Sequence, residues 1–220
     1  MDFNLFVIKQ NWHILAHGAW MTFALCAGSL ILGMILAVFL CAGRMRGQGF
    51  FFWISTVFVN MFRTLPELVP VFWIYSAGPL VFNLKLSATT SGIIALTIYV
   101  AAFVAEIYRA GVNGVPSGQM EAARALGMPA TSIWVRVIVP QAIKLMIPPF
   151  MNFLCDLVKV SSLLSAIGIA ELAYQATIVG GDTLRFFEIY TVAGAFYFAI
   201  LYPFSLMSRY FEKRMSRSHA

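Results

Sequence analysis

Five long apolar runs, separated by short polar stretches, set the pattern of this chain. They cover about Gly18 to Gly43, Phe50 to Leu80, Ala88 to Gly111, Ile143 to Ala170 and Phe187 to Met207. A transmembrane helix needs roughly 20 mostly apolar residues to cross about 30 Å of hydrocarbon. Runs such as "SLILGMILAVFLCA" do not alternate in polarity, which excludes the short alternating strands of a membrane barrel. The pattern therefore predicts an all-α, polytopic membrane protein with about five transmembrane helices. The second run is interrupted by "RTLPE" (Arg63 to Glu67); the fourth carries "IPPF" near its start and "DLVKVSS" inside it.

Between the third and fourth runs lies "GQMEAARALGMPATSIWVRVIVPQA", Gly118 to Ala142, the longest stretch with the composition of a soluble amphipathic helix. Gln119 to Leu126 are strong helix formers. Pro116 and Ser117 supply a start, with Ser117 expected as N-cap. Gly127 supplies a stop and Pro129 prevents continuation. A short helix held by turns at both ends of a loop has two readings, a plain connection or a docking lever for another protein.

Composition sharpens the class. Of 220 residues, 60% are hydrophobic and 11% charged, against about 25% charged in soluble domains. The formal net charge of +6 reports topology rather than nucleic-acid binding. Arg44 and Arg46 follow the first run; Arg109, Arg124, Arg136 and Lys144 flank or fill the loop between the third and fourth; Arg209, Lys213, Arg214 and Arg217 follow the fifth. These fall on one side of a membrane, and only Lys9, Lys85 and Arg185 on the other. Basic residues mark the cytoplasmic side, so the expectation is N-terminus out, C-terminus in. The opening "MDFNLFVIKQ" lacks a basic n-region, and the first run is expected to act as its own insertion signal. "FNLFVIKQNWHILAHGAW" mixes apolar and polar residues and is expected to lie in the outer interface as an amphipathic helix. His13 and His17 within it have i, i+4 spacing but no nearby carboxylate, a weak metal signal. Cys26, Cys41 and Cys155 lie in or beside apolar runs with no CxxC pair and read as buried thiols. Residues 1–220 form one membrane domain, with the loop 117–140 inside it.

Ionisable groups within apolar runs are costly and face a cavity, a partner or the bundle interior. Arg63 and Glu67 flank Pro66, which breaks the local hydrogen-bond ladder and disfavours helical geometry at Leu65. They read either as a pathway lining or as an ion pair holding a kink. Glu106, three residues before Arg109, reads as an interfacial Glu–Arg pair or as a polar contact at the floor of a cavity. Asp156 and Lys159 can pair at i, i+3; Lys159, Ser161, Ser162 and Ser165 alternatively lie along a polar pathway.

Several of these stretches resemble one family. "EAARALGMPATSIWVRVIVP" is similar to the EAA loop of ABC-importer permeases, Glu-Ala-Ala, three residues, Gly, nine residues and Ile-x-Leu-Pro, with Val137 and Val139 at the closing Ile and Leu positions. "RTLPELVPVFWIY" resembles the Arg-Gly-Thr-Pro-Leu-Leu-Val-Gln segment of the polar amino acid permeases within that group. "AEIYRAGVNGVPSGQMEAARALGM", "PQAIKLMIPPFMNFL", "SSLLSAIGIAEL" and the Tyr-Phe-Glu-Lys-Arg tail extend the resemblance over nearly the whole chain. The usual Lys-Asp-Thr-Ser or Lys-Asp-Ser-Ser run is "KVSS" here, with Val160 where the acid stands in the family.

The resemblance implies a type I ABC importer permease fold in a bacterial cytoplasmic (inner) membrane. It implies two ATP-binding subunits, a second permease subunit (identical or homologous), an extracytoplasmic substrate-binding protein and membrane lipid as partners. The helix at Glu121, Ala122, Ala123 and Gly127 becomes the coupling helix seated in the ATPase, and alternating access driven by the ATPases carries an amino acid into the cytoplasm. Arg63, Glu67, Glu106, Lys159 and Ser161 are the candidates for the substrate pathway. In members of the family that recognise cationic amino acids, the acid at position 160 and the one at 106 look like substrate contacts. Val160 thus implies either that no basic side chain is held here or that this is the non-binding half of a heterodimer. No GxxxxGK[ST] loop occurs, so this chain is expected to be no enzyme and to hold no cofactor, with ATP and magnesium on the partner ATPase. The alternative class, a membrane-embedded enzyme or stand-alone channel, finds no HExxH, paired catalytic carboxylates or Ser/His couple in the spans.

Overall fold

A computed structural model describes residues 5–83 and 85–216. Arg217, counted above among the basic residues of the tail, lies outside the described residues. All regular structure among the described residues is helical. The elements are α1 (Leu5–Met45), α2 (Phe50–Thr64), α3 (Leu68–Phe72), α4 (Gly78–Phe82), α5 (Ala88–Asn113), α6 (Ser117–Ala125), α7 (Ala130–Ile133), α8 (Val139–Ser161), α9 (Leu172–Thr183) and α10 (Phe186–Ser216). Wide π turns, Trp73–Ala77 and Trp134–Ile138, join α3 to α4 and α7 to α8, and a 3-10 turn, Ser162–Ile167, extends α8.

Four of these helical segments are long and apolar enough to cross a membrane: Leu5–Met45, Ala88–Asn113, Ala130–Ile167 and Phe186–Phe211. A fifth results if Phe50–Thr64 and Leu68–Val81, bent by 104° at their junction, are taken together. The junction is where Pro66 withdraws an N–H and pushes Leu65 to extended geometry (φ −70°, ψ 141°).

α5 is the centre. Val100, Ala101, Ala102, Val104 and Ala105 on it are fully buried, and α1, α2 and α8 pack around it. Small side chains let helices approach closely where lipid supplies no hydrophobic drive between them. Gly33 shows this: a Cβ there would fall 2.5 Å from the Val100 side chain. The outward faces carry the opposite residues. Trp20, Phe23, Ile31, Ile35 and Phe39 of α1 are exposed, as suits a surface whose solvent is hydrocarbon. A second core joins Leu15 of α1 to Leu172, Ala176 and Val179 of α9 and Ile189 and Ala193 of α10.

Two expectations need correction, and one further helix joins those the sequence suggests. The N-terminal segment is not a separate interfacial helix. It is continuous with the first span in a helix of 41 residues, about 60 Å long at 1.5 Å per residue. Its polar Lys9, His13 and His17 stay exposed while Leu15 and Gly18 are buried. Ser117 is not the N-cap of α6: Pro116 takes that place (φ −56°, ψ 135°), and no side chain caps the helix. α9 is a further helix between the fourth and fifth spans, capped by Glu171, whose carboxylate accepts the Tyr174 N–H at 2.7 Å.

Candidate functional site

Three groups of residues stand out. The first is α6 and its turns. Ala123 of α6 is 4% exposed and packs with Val115, Ile133, Ile138 and Ala142 in a small core of its own. Glu121, Ala122 and Gly127 stay exposed. The helix ends in a Schellman turn: Gly127 N–H donates to the Arg124 carbonyl at 2.9 Å and Met128 N–H to the Ala123 carbonyl at 3.2 Å. That turn needs a left-handed residue, and Gly127 supplies φ +74°. α6 is therefore a short helix anchored through one buried alanine, with its other face and the acid of its Glu-Ala-Ala motif presented outward.

The second is an ion cluster that ties three helices together. Glu106 of α5 accepts from Arg109 at 2.5 Å and 3.1 Å, accepts from Arg44 of α1, and lies 3.8 Å from Arg63 of α2. Arg44 comes from the last turn of α1, and its side chain is 12% exposed. Three cations to one acid leave the cluster net positive. The Arg63 guanidinium makes the longest of these contacts and also sits 5.5 Å from the centre of the Phe103 ring.

The third is the break in the second span. Every residue from Arg63 to Val69 is exposed. Non-helical backbone at membrane depth persists only where it is covered by protein or lines a water-filled cavity. Glu67 borders a narrow cleft of about 10 Å³ with Phe62, Pro70, Tyr99 and Val160. Val160 thus stands beside the one carboxylate of that cleft.

The sequence candidates are divided accordingly. Arg63 and Glu106 are brought together; Glu67 lies beyond the break from them. Lys159 pairs with Asp156 at 3.1 Å, both well exposed, along a groove between α8 and α10 that also includes Asn152, Tyr202 and Arg209. Ser161 is fully buried, and its hydroxyl donates to the Val158 carbonyl at 2.8 Å. Ser162 and Ser165 likewise donate to carbonyls three residues back.

Two groups escape a reading of the sequence. Arg44 has a visible signal, a basic residue ending a span, but nothing local pairs it with Glu106. Glu171 is fully buried; its carboxylate accepts from Tyr197 of α10 at 3.0 Å and from Thr22 of α1 at 3.4 Å. Its visible signal is an acid three residues before the Tyr174 N–H at a helix start.

The described residues thus form a bundle of apolar helices with a bent second span and a short, outward-facing helix after the third, the layout of a polytopic membrane protein. Residues 29–217 match the family of binding-protein-dependent transport system inner membrane components, and the chain belongs to that family. It is 39% identical over 193 residues to the probable glutamine ABC transporter permease GlnM of Bacillus subtilis, covering 88% of this chain and 87% of that one. It is 37% identical over 213 residues to the L-cystine transport system permease TcyB of the same organism, covering 96% and 91%. Among solved structures, an amino acid ABC transporter with histidines has a chain that superposes with a TM-score of 0.88 at 33% identity, over 97% of this chain and all (100%) of that one. A chain of the inward-facing methionine transporter MetNI superposes at 0.72 with 20% identity, over 92% of this chain and 98% of that one, a likeness of fold alone.

Proposed function

We propose that this chain is the membrane permease of an ATP-driven importer that carries an amino acid into the cytoplasm. The observation that carries the reading is α6: Ala123 is buried in a local core while Glu121, Ala122 and Gly127 form an exposed edge, a shape made to be gripped by another protein. The relatives named for glutamine and cystine transport support the substrate class. Two ATPase subunits would hold α6 and its counterpart on a second permease, and their closure on ATP would move the two permeases as rigid bodies between inward- and outward-facing states. An extracytoplasmic binding protein would deliver the substrate. ATP and magnesium would reside on the ATPases.

The distribution of arginine and lysine supports an orientation with α6 and the C-terminus in the cytoplasm and the N-terminus outside. Arg63, Glu67, Glu106, Lys159 and Ser161 would line or support the pathway, Ser161 from within the bundle because it is buried.

Co-purification tests the reading. The tagged chain, extracted from its native membrane in mild detergent, should bring down an ATPase. Glu121→Lys should abolish that association, or ATP-driven uptake, while the protein still inserts. Normal uptake by Glu121→Lys would defeat the role given to α6, and a chain that captures no ATPase even after cross-linking would defeat the importer reading.

A further inference from the structure

α8 carries a polar stripe that the rest of the chain leaves uncovered. Pro149, Asn152, Asp156 and Lys159 recur at three- and four-residue spacing, so they share one face of the helix, and all four are exposed. The side chains of Asp156 and Lys159 are 57% and 61% exposed. On the other side of the helix Phe153, Leu157, Val158 and Ser161 are buried. Yet α8 belongs to the segment Ala130–Ile167, which is long and apolar enough to cross a membrane. Charged groups at that depth face a partner, a cavity or the bundle interior, because hydrocarbon does not solvate them. Beside the stripe a groove of about 540 Å³ opens between α8 and α10, and its α10 wall includes Tyr202, Ser205 and Arg209. The charge of this face excludes lipid as its covering.

The charges on the stripe indicate what covers it. Two identical chains inserted in the same orientation meet about a two-fold axis along the membrane normal, and such a contact sets one patch against its own copy. The patch must therefore complement itself. A stripe of one sign would repel its copy and call for a different subunit of the opposite sign. This stripe has one acid and one base, Asp156 and Lys159, paired at 3.1 Å. With α8 parallel to its copy, Lys159 stands only about 4.5 Å along the axis from Asp156 of the second copy, within reach of its long side chain. Each carboxylate then meets its own lysine and that of the copy, a closed ring of two acids and two bases. We propose that the α8 stripe is the contact with a second copy of this chain, so that the importer holds a homodimer of permeases. This rests on the importer reading and adds to it which subunit the second permease is and which face it covers. Lys159 then borders the pathway where the two copies meet. Arg209 stands apart from the ring: its neighbour Ser208 donates to the Pro148 carbonyl at 3.5 Å, about two turns of α8 below Asp156.

The test uses two differently tagged forms of the full chain, co-expressed in the native host membrane and extracted in mild detergent; capture through one tag reads the other. Two parent copies should be captured together. Asp156→Lys on both copies gathers four bases at the contact, and Lys159→Asp on both gathers four acids. Like charges set against each other suppress association, so each should lower capture of the second copy by about tenfold or more. Asp156→Lys on one copy with Lys159→Asp on the other restores two charges of each sign and should return capture to near the parent's. Rescue within one chain cannot mimic this, since each variant chain has lost its internal pair. Asn152→Cys, which leaves the charges in place, should give an oxidant-induced covalent dimer. Neither the parent, with its three native cysteines, nor Val57→Cys on the exposed apolar face of α2 should give one. If the charge variants do not insert, that dimer alone decides. No recovery in the mixed pair, or no dimer from Asn152→Cys, would overturn the contact. Parent copies that bring down an ATPase and a different permease, but not each other, would overturn the homodimer and leave the importer reading standing. Parent copies that bring down each other but no ATPase would overturn the importer reading while the contact stands.

Discussion

Thr22, midway along α1, and Glu171, at the head of α9, are 149 residues apart in sequence and meet at 3.4 Å in the buried interior. The Thr22 hydroxyl donates to the Glu171 carboxylate and accepts the Leu172 N–H at 3.1 Å. Glu171 in turn caps α9 and holds Tyr197 of α10. One carboxylate thereby satisfies donors from three helices, and each of those donors is costly to leave unmet away from water.

Glu171→Ala should therefore destabilise the protein more than a simple loss of a cap. It removes the acceptor of the Tyr174 N–H and strands the hydroxyls of Thr22 and Tyr197. A loss of about 2–4 kcal/mol is expected, from about 1 for the cap and about 1–3 for buried groups left unpaired. Glu171→Gln, which keeps an acceptor oxygen, should cost less. Thermal unfolding in detergent, followed by helical signal, ranks the two; equal midpoints for Glu171→Ala and the parent would refute the network's weight.

Gly33 and Gly28 on the same helix make a paired test of packing. A Cβ at Gly33 would collide with Val100 at 2.5 Å, while one at Gly28 meets nothing within 4 Å. Gly33→Ala should destabilise by about 1–3 kcal/mol through overpacking. Gly28→Ala should be neutral or stabilising by up to about 1 kcal/mol, because Ala favours the helix over Gly. Similar midpoints for the two variants would mean that α1 and α5 do not meet at Gly33.

Glu106 anchors more charge than it carries. Glu106→Gln would leave Arg44, Arg63 and Arg109 facing one another without a counter-charge. The expected loss is about 2–3 kcal/mol, below the roughly 3–5 of a wholly buried pair, because Arg63 and Arg109 are about one-third exposed and reach solvent. Arg63→Gln, removing the most weakly held cation, should cost little stability and should partly rescue Glu106→Gln. The double-mutant cycle checks this; additive losses would argue that Arg63 and Glu106 are independent.

Which of these features can be read from the chain follows from how local each is. Apolar runs and their polar punctuation are properties of neighbouring residues, so the five apolar segments, the break at Pro66 and the short helix ending at Gly127 are all visible. Family resemblance comes from the same local strings. The continuity of the N-terminus with the first span is hidden, because Lys9, His13 and His17 suggest an interface until Leu15 and Gly18 are seen to bury a different face of the same helix against α9. Ser117 looks like a cap by residue type, but Pro116 already sets the entry geometry, and no side chain caps α6. The links between Arg44 and Glu106, and between Thr22 and Glu171, are tertiary; each residue alone gives no sign of a partner 62 or 149 positions away.

The turn at Gly127 allows the role of α6 to be separated from its mere presence. The residue sits at φ +74°, and a Cβ there would meet nothing within 4 Å, so space is free and only backbone conformation resists a side chain. Asn tolerates the left-handed region far better than a β-branched residue does. Gly127→Asn should then keep α6 in place, and Gly127→Val should strain the turn by about 1–2 kcal/mol and shift the helix that Ala123 pins. If α6 transmits ATPase motion, ATP-driven uptake should fall in the order Gly, Asn, Val while the ATPase stays bound. Uptake that ignores this order, with all three proteins equally assembled, would mean that the position of α6 does not govern transport.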